Sequence, residues 1–176
     1  MSEFDFHMVG RPLELSGLEA QFGTDEHLRL RQDIHEQYSI PKVDFMEWVL
    51  RRVAWRGDET VLDVGTGSGR YAEGTCQRIP RGHYFGVDAF EGMLAAHPKA
   101  GQVCAADALH LPFAAGSVDV VMANHMLYLL PDIDAALVEF RRVIRPGGVL
   151  VTATNSIQTM PEFTALFRRA VNLLTD

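Results

Sequence analysis

Cysteine is scarce in this sequence, with only two in 176 residues. Cys76 and Cys104 make neither a metal-ligand spacing nor a disulfide framework, which fits a reducing compartment and burial as small apolar side chains. Long apolar runs are also missing. No stretch nears the roughly 18 residues of a spanning helix, and the opening MSEFDFHMVGRP lacks an apolar targeting core. Basic charge is in deficit, 16 Lys and Arg against 23 Asp and Glu for a net charge of −7. A nucleic-acid groove is therefore not expected, and a small substrate is the better fit. None of the seven histidines pairs at ligand spacing with a second ligand residue, so no metal is expected. Internal repeats and low-complexity tracts are absent too. What remains is a soluble, cytoplasmic chain of 47% hydrophobic and 22% charged residues, long enough to bury a core.

The chain divides into an N-terminal arm with helices, residues 1–56, and one compact domain, residues 57–176. Within the arm, Asp25 to Gln37 is helix-compatible. Lys42 to Arg56 is a clearer helix, with Phe45, Trp48, Val49 and Val53 on one face and Gly57 after its end. Short apolar runs then alternate with helical stretches. The runs are TVLDV (60–64), HYFGV (83–87), QVCAA (102–106), VDVVMAN (118–124) and GVLVTAT (148–154). Helices are expected near Arg70–Ile79, Glu91–Ala96 and Ile133–Arg145, the last capped by Asp132 and stopped at Pro146-Gly147-Gly148. Strands alternating with helices imply an α/β fold, a Rossmann-like doubly wound and mostly parallel sheet.

In such a sheet, ligands bind beyond the carboxyl ends of the strands. The glycine-rich VLDVGTGSGRY sits there, just past the first strand. Glycines allow a sharp turn and close approach of a ligand, and the turn's amides can serve as donors. The spacing is G-x-G-x-G with Arg70 next, not the dinucleotide G-x-G-x-x-G, and no Walker lysine follows. Asp63, two residues before the glycines, would repel a pyrophosphate and favour an ammonium or sulfonium. Asp88, at the end of the second strand, can accept from a ribose diol. After the third strand, Asp107 can accept from a purine amine, with the amide of Ala108 beside it. Three strand ends thus offer groups for an amino acid, a ribose and an adenine.

These residues resemble a class I S-adenosylmethionine-dependent methyltransferase of the ubiquinone/menaquinone-biosynthesis-like "type 11" small-molecule group. The resemblance runs from about Thr60 to Asn155, carried in order by VLDVGTGSG, YFGVDAFEGML, AADALHLPFAAGSVDVV, VMANHMLYLLPD and EFRRVIRPGGVLVTAT. It implies S-adenosylmethionine as cofactor, with S-adenosylhomocysteine as product. Gly65, Thr66 and Gly67 would line the methionine part, with Asp63 near its amino group. Asp88 would take the ribose hydroxyls, Asp107 and Ala108 the adenine, and Asn124 and His125 would lie beneath the methionine end. The stretch LRLRQDIHEQYS resembles the helix that covers the cofactor, where Arg31 would reach the carboxylate and Tyr38 the sulfonium. Ala89 and Phe90 replace the family's bulky aliphatic and helix-capping residues, so adenine stacking would fall to Phe90, Leu109 or Met93.

The family's sheet has seven strands, and this chain ends after MPEFTALFRRAVNLL without the last two. The fifth strand is then expected as an apolar edge, covered by that final helix or by a second subunit of a homodimer. Methyl transfer to an O, N or C atom of a small-molecule acceptor is the implied reaction. A general base is needed only if the acceptor must lose a proton, so the catalytic residues stay unassigned, with His125, His35 and Tyr38 as candidates. A cofactor-binding remnant without catalysis, or a regulatory subunit, is the alternative outside enzymes. An NAD(P)-dependent oxidoreductase is the alternative among them, and the loop spacing, Asp63 and Asp107 weigh against it.

Overall fold

The computed structural model describes residues 37, 38, 40 and 42–154. Arg31, His35 and the segment expected as the final helix lie outside the described residues. The elements are α1 (Phe45–Leu50), β1 (Thr60–Val64), α2 (Ala72–Arg78), β2 (His83–Asp88), α3 (Glu91–Leu94), β3 (Val103–Ala105), β4 (Val118–Asn124), α4 (Ile133–Val143) and β5 (Ile144–Ala153). The strands lie in the order β3-β2-β1-β4-β5, and every neighbouring pair is parallel. The chain therefore runs outward from β1 to β3, then crosses back to β4 on the other side of β1. That reversal, between β1 and β4, is the switch point at which such sheets bind ligands.

Side-chain alternation along the strands builds two cores, one on each face. Leu62 and Val64 face Phe140 and Val143 of α4. Val61 faces Tyr71, Ala72 and Tyr84, with Val49 and Leu50 of α1 beyond. Every residue of β4 is buried, as its near-continuous apolar content suggests of a strand covered on both faces. Among the described residues, no helix is long and apolar enough to cross a membrane.

β1 and β4 have the expected bounds, while the other elements differ from the sequence reading at one end or both. α1 is six residues long, not fifteen. Asp44 caps its start by accepting from Glu47 N, and the Trp55 indole closes its end by donating to the Leu50 carbonyl at 2.7 Å. Its buried side is Val49 and Leu50, with Met46 and Val53 packed nearby, whereas Phe45 and Trp48 are 40% and 48% exposed. Those two rings stack on each other, and the Arg52 guanidinium lies over Trp48. α4 stops at Val143, two residues early, because Ile144 already pairs with Val118 as the first residue of β5. Pro146, Gly147 and Gly148 then form an irregularity inside β5 opposite Asp119, before regular pairing resumes at Val149 and Val120.

Candidate functional site

The glycine turn leaves β1 with Gly65, Gly67 and Gly69 all at positive φ, +69°, +56° and +82°. A side chain is strained in that region, which is why the turn alternates glycine with small hydroxyl residues. The turn is tied to β2 from within. Gly65 N and Thr66 N both donate to the Val87 carbonyl, and Gly69 N donates to the Thr66 carbonyl. Gly67 N donates to Asp88 Oδ2 at 2.9 Å. The amides expected as ligand donors are thus largely engaged inside the protein, because the turn docks on the end of the neighbouring strand.

Asp88 closes β2 and is partly exposed. Its Oδ1 accepts from Phe90 N at 3.0 Å, just ahead of α3, whose start has no side-chain cap. A carboxylate has about four acceptor positions, so its backbone donors do not exhaust it. Burial raises its pKa above the ordinary value, against the opposing hydrogen bonds of Phe90, Gly67 and Ala89.

Asp63 and Thr66 have their side chains beneath the turn and buried. Thr66 Oγ1 and the Tyr84 hydroxyl both donate to Asp63 Oδ2 at 2.9 Å. Burial, reinforced by the Asp88 charge, pushes the Asp63 carboxyl up to about 6 despite these bonds. The influences on it include no cation among the described residues.

Asp107 is exposed at the rim after β3. Its Oδ1 accepts from Leu109 N at 2.9 Å and its Oδ2 lies 3.1 Å from His110 Nδ1. The Leu109 bond chiefly holds its pKa low, so the carboxylate stays ionised. Ala108 is buried and Leu109 half-buried beside it, while Met93 is only 3% exposed and turns into the core. Ala89 is exposed, and Phe90 is half-buried.

On the other side of the switch point, β4 ends in Asn124 and His125. Asn124 is buried, and neither Oδ1 nor Nδ2 has a partner among the described residues. An amide in that state costs about 1–3 kcal/mol, a penalty that calls for a polar ligand or water. His125 holds φ +57°, the one positive value among described non-glycine residues, and its N–H donates to the Ala153 carbonyl. Such strain clusters at functional sites. Its ring lies 5.4 Å from that of Phe45. Tyr38 is 69% exposed.

The turn, Asp88, Asn124 and His125 thus gather at the ends of β1, β2 and β4. Residues 62–152 match the methyltransferase domain family. The chain belongs to that family. It is 29% identical over 141 residues to a malonyl-acyl-carrier-protein O-methyltransferase from Xylella fastidiosa, covering 77% of this chain and 45% of that one. Against a demethylmenaquinone methyltransferase from Staphylococcus aureus the identity is 31% over 126 residues, covering 68% and 52%. The chain therefore spans about half the length of these relatives. A crystal structure of an S-adenosylmethionine-dependent methyltransferase from Aquifex aeolicus shares the fold, with a TM-score of 0.59 and 23% identity over 71% of this chain and 69% of that one.

Two participants were not singled out in the sequence. Tyr84 and His97 are buried against the glycine turn, yet they lie 18 and 31 residues beyond Thr66. A motif read along the chain carries no signal for either.

Proposed function

We propose that the crevice at the β1–β4 switch point binds S-adenosylmethionine, and that the protein passes its methyl group to a small-molecule acceptor. The observation that carries this reading is the row of acids at successive parallel strand ends, Asp63, Asp88 and Asp107, around a glycine turn. A dinucleotide pyrophosphate would meet repulsion there, whereas a cationic adenosyl compound meets attraction.

The residues present fit that ligand on three counts. Asp63 is a buried carboxyl held near pKa 6 with no cation among the described residues to relieve it, a place suited to the ligand's positive end. Asn124 offers an unpaired amide on the same face of the sheet, able to donate and accept. Asp88 keeps acceptor capacity for a ribose hydroxyl beyond its backbone donors. When bound, S-adenosylmethionine supplies a methyl already activated by its sulfonium, so the protein's task is to bind, orient and exclude water. His125 and the exposed Phe45 stand beside the methionine end, where an acceptor would approach. The two named relatives act on demethylmenaquinone and on malonyl-acyl-carrier protein, as their names state, and this supports an acceptor of metabolite class.

Equilibrium dialysis with labelled S-adenosylmethionine tests the reading. Saturable binding, displaced by S-adenosylhomocysteine and not by NAD, is the expected result. Displacement by NAD alone would overturn it.

A further inference from the structure

Beneath the glycine turn, His97 occupies a position that packing alone does not explain. It follows α3, is 4% exposed, and presents both ring nitrogens to polar partners. Lys99 N–H donates to Nδ1 at 3.0 Å, so that nitrogen carries no proton. A neutral ring then bears its proton on Nε2, which lies 3.1 Å from Thr66 Oγ1 and 3.4 Å from the Tyr84 hydroxyl. Protonating the ring would set an Nδ1–H against the Lys99 N–H. Burial, and then the Lys99 charge, correspondingly lower the ring's pKa. One side of the imidazole stacks on Tyr84. The ring also fills the space beside Gly69, where a Cβ would lie 2.6 Å from its atoms.

Thr66 links this cluster to the turn. Its N–H and carbonyl both take part in the bonds that shape the glycine segment, and its hydroxyl is the group that His97 holds. The hydroxyl also donates to Asp63 and lies 2.8 Å from the Tyr84 hydroxyl, so loss of the His97 donor removes one tie on that group and loosens the turn's buried anchor. Gly67, one residue on, is the amide that Asp88 grips.

We propose that His97, as its Nε2–H tautomer, is a positioning residue that locks the Thr66 hydroxyl and, through it, the glycine turn in the shape that receives the adenosyl ligand. It acts through Thr66 and Asp63 and touches no ligand. The inference rests on the cofactor reading above.

Three variants separate positioning from packing. Gln in His97→Gln places an amide N–H near the position of Nε2 and keeps the donor to Thr66. Asn in His97→Asn keeps an acceptor for Lys99 N and leaves Thr66 without its donor. His97→Leu keeps neither. Calorimetric affinity for S-adenosylhomocysteine should stay within about threefold of wild type for Gln and fall at least about tenfold for Asn and Leu. In a Thr66→Val background the Gln–Asn difference should vanish. Imidazole ¹⁵N shifts of the wild type should show an unprotonated Nδ1 and a protonated Nε2. Should the leucine variant not fold, the Gln–Asn pair decides. Equal affinity in those two, or the opposite tautomer, overturns the proposal. A wild type that binds with variants that all match it refutes this inference alone, whereas a wild type that does not bind S-adenosylhomocysteine brings down the cofactor reading as well.

Discussion

Replacing Asp63 with Asn isolates the electrostatic state of the buried acid. In the fold its carboxyl titrates near 6, against 3.8 for the ordinary side chain, with burial as the main cause. The neutral form is thus the one the fold prefers. That preference is complete below about pH 4 and is lost as pH rises through about 6. At about 1.4 kcal/mol per pH unit, the displacement corresponds to about 3 kcal/mol. Asparagine keeps an oxygen for Thr66 and Tyr84 but cannot ionise, so its offset from wild type is largely independent of pH. Urea unfolding of both proteins from pH 4 to pH 8 therefore gives a direct comparison. The stability of Asp63→Asn relative to wild type should climb by about 3 kcal/mol across that range, most steeply between pH 4 and 6. A difference that stays flat would show that the acid is not held neutral by burial and would refute the reasoning. Because the ionised carboxylate is the form that attracts a cation, affinity of the wild type for S-adenosylmethionine should also rise through pH 6, and that rise should be absent in the variant.

Other predictions concern packing and polar satisfaction. Gly82→Ala would place a Cβ 2.1 Å from the Glu59 carbonyl oxygen, a backbone atom that cannot swing aside. Thermal or urea unfolding should register a loss of roughly 1–3 kcal/mol, while Gly101→Ala, with open space around it, should be close to neutral. Asn124→Leu removes a buried amide that has no partner among the described residues. The ligand-free protein should gain about 1 kcal/mol of stability while S-adenosylhomocysteine binding weakens. A loss of stability with unchanged binding would show that Asn124 serves the core and not the ligand.

Much of the fold was legible because parallel strands covered on both faces leave a plain trace. TVLDV and VDVVMAN are largely apolar runs between turn signals, and both strands fall on the expected residues. Asp132 reads as a cap from its type and place, and its side chain does accept from Ala135 N at 2.9 Å. The buried face of α1 was not legible. Phe45 and Trp48 share helical spacing with Val49, and periodicity cannot say that Met46 and Leu50 meet the core while the rings stack outside. The start of β5 was hidden because Ile144 pairs with Val118 before the Pro-Gly-Gly irregularity, whereas proline and glycine ordinarily mark a strand's outside. At the site, the acids could be placed at strand ends from the sequence. Their partners could not, since Tyr84 and His97 reach Thr66 across the sheet and a loop. Nor does residue type announce the left-handed backbone of His125.

Titrating S-adenosylhomocysteine into wild type and Asp88→Ala by calorimetry tests the central claim most directly. The expected result is one saturable site in the wild type, weakened by about 1–3 kcal/mol in the variant through loss of hydrogen bonds to a charged acceptor. Equal affinity in the two proteins, or no heat with S-adenosylhomocysteine alongside saturable binding of NAD, would contradict it.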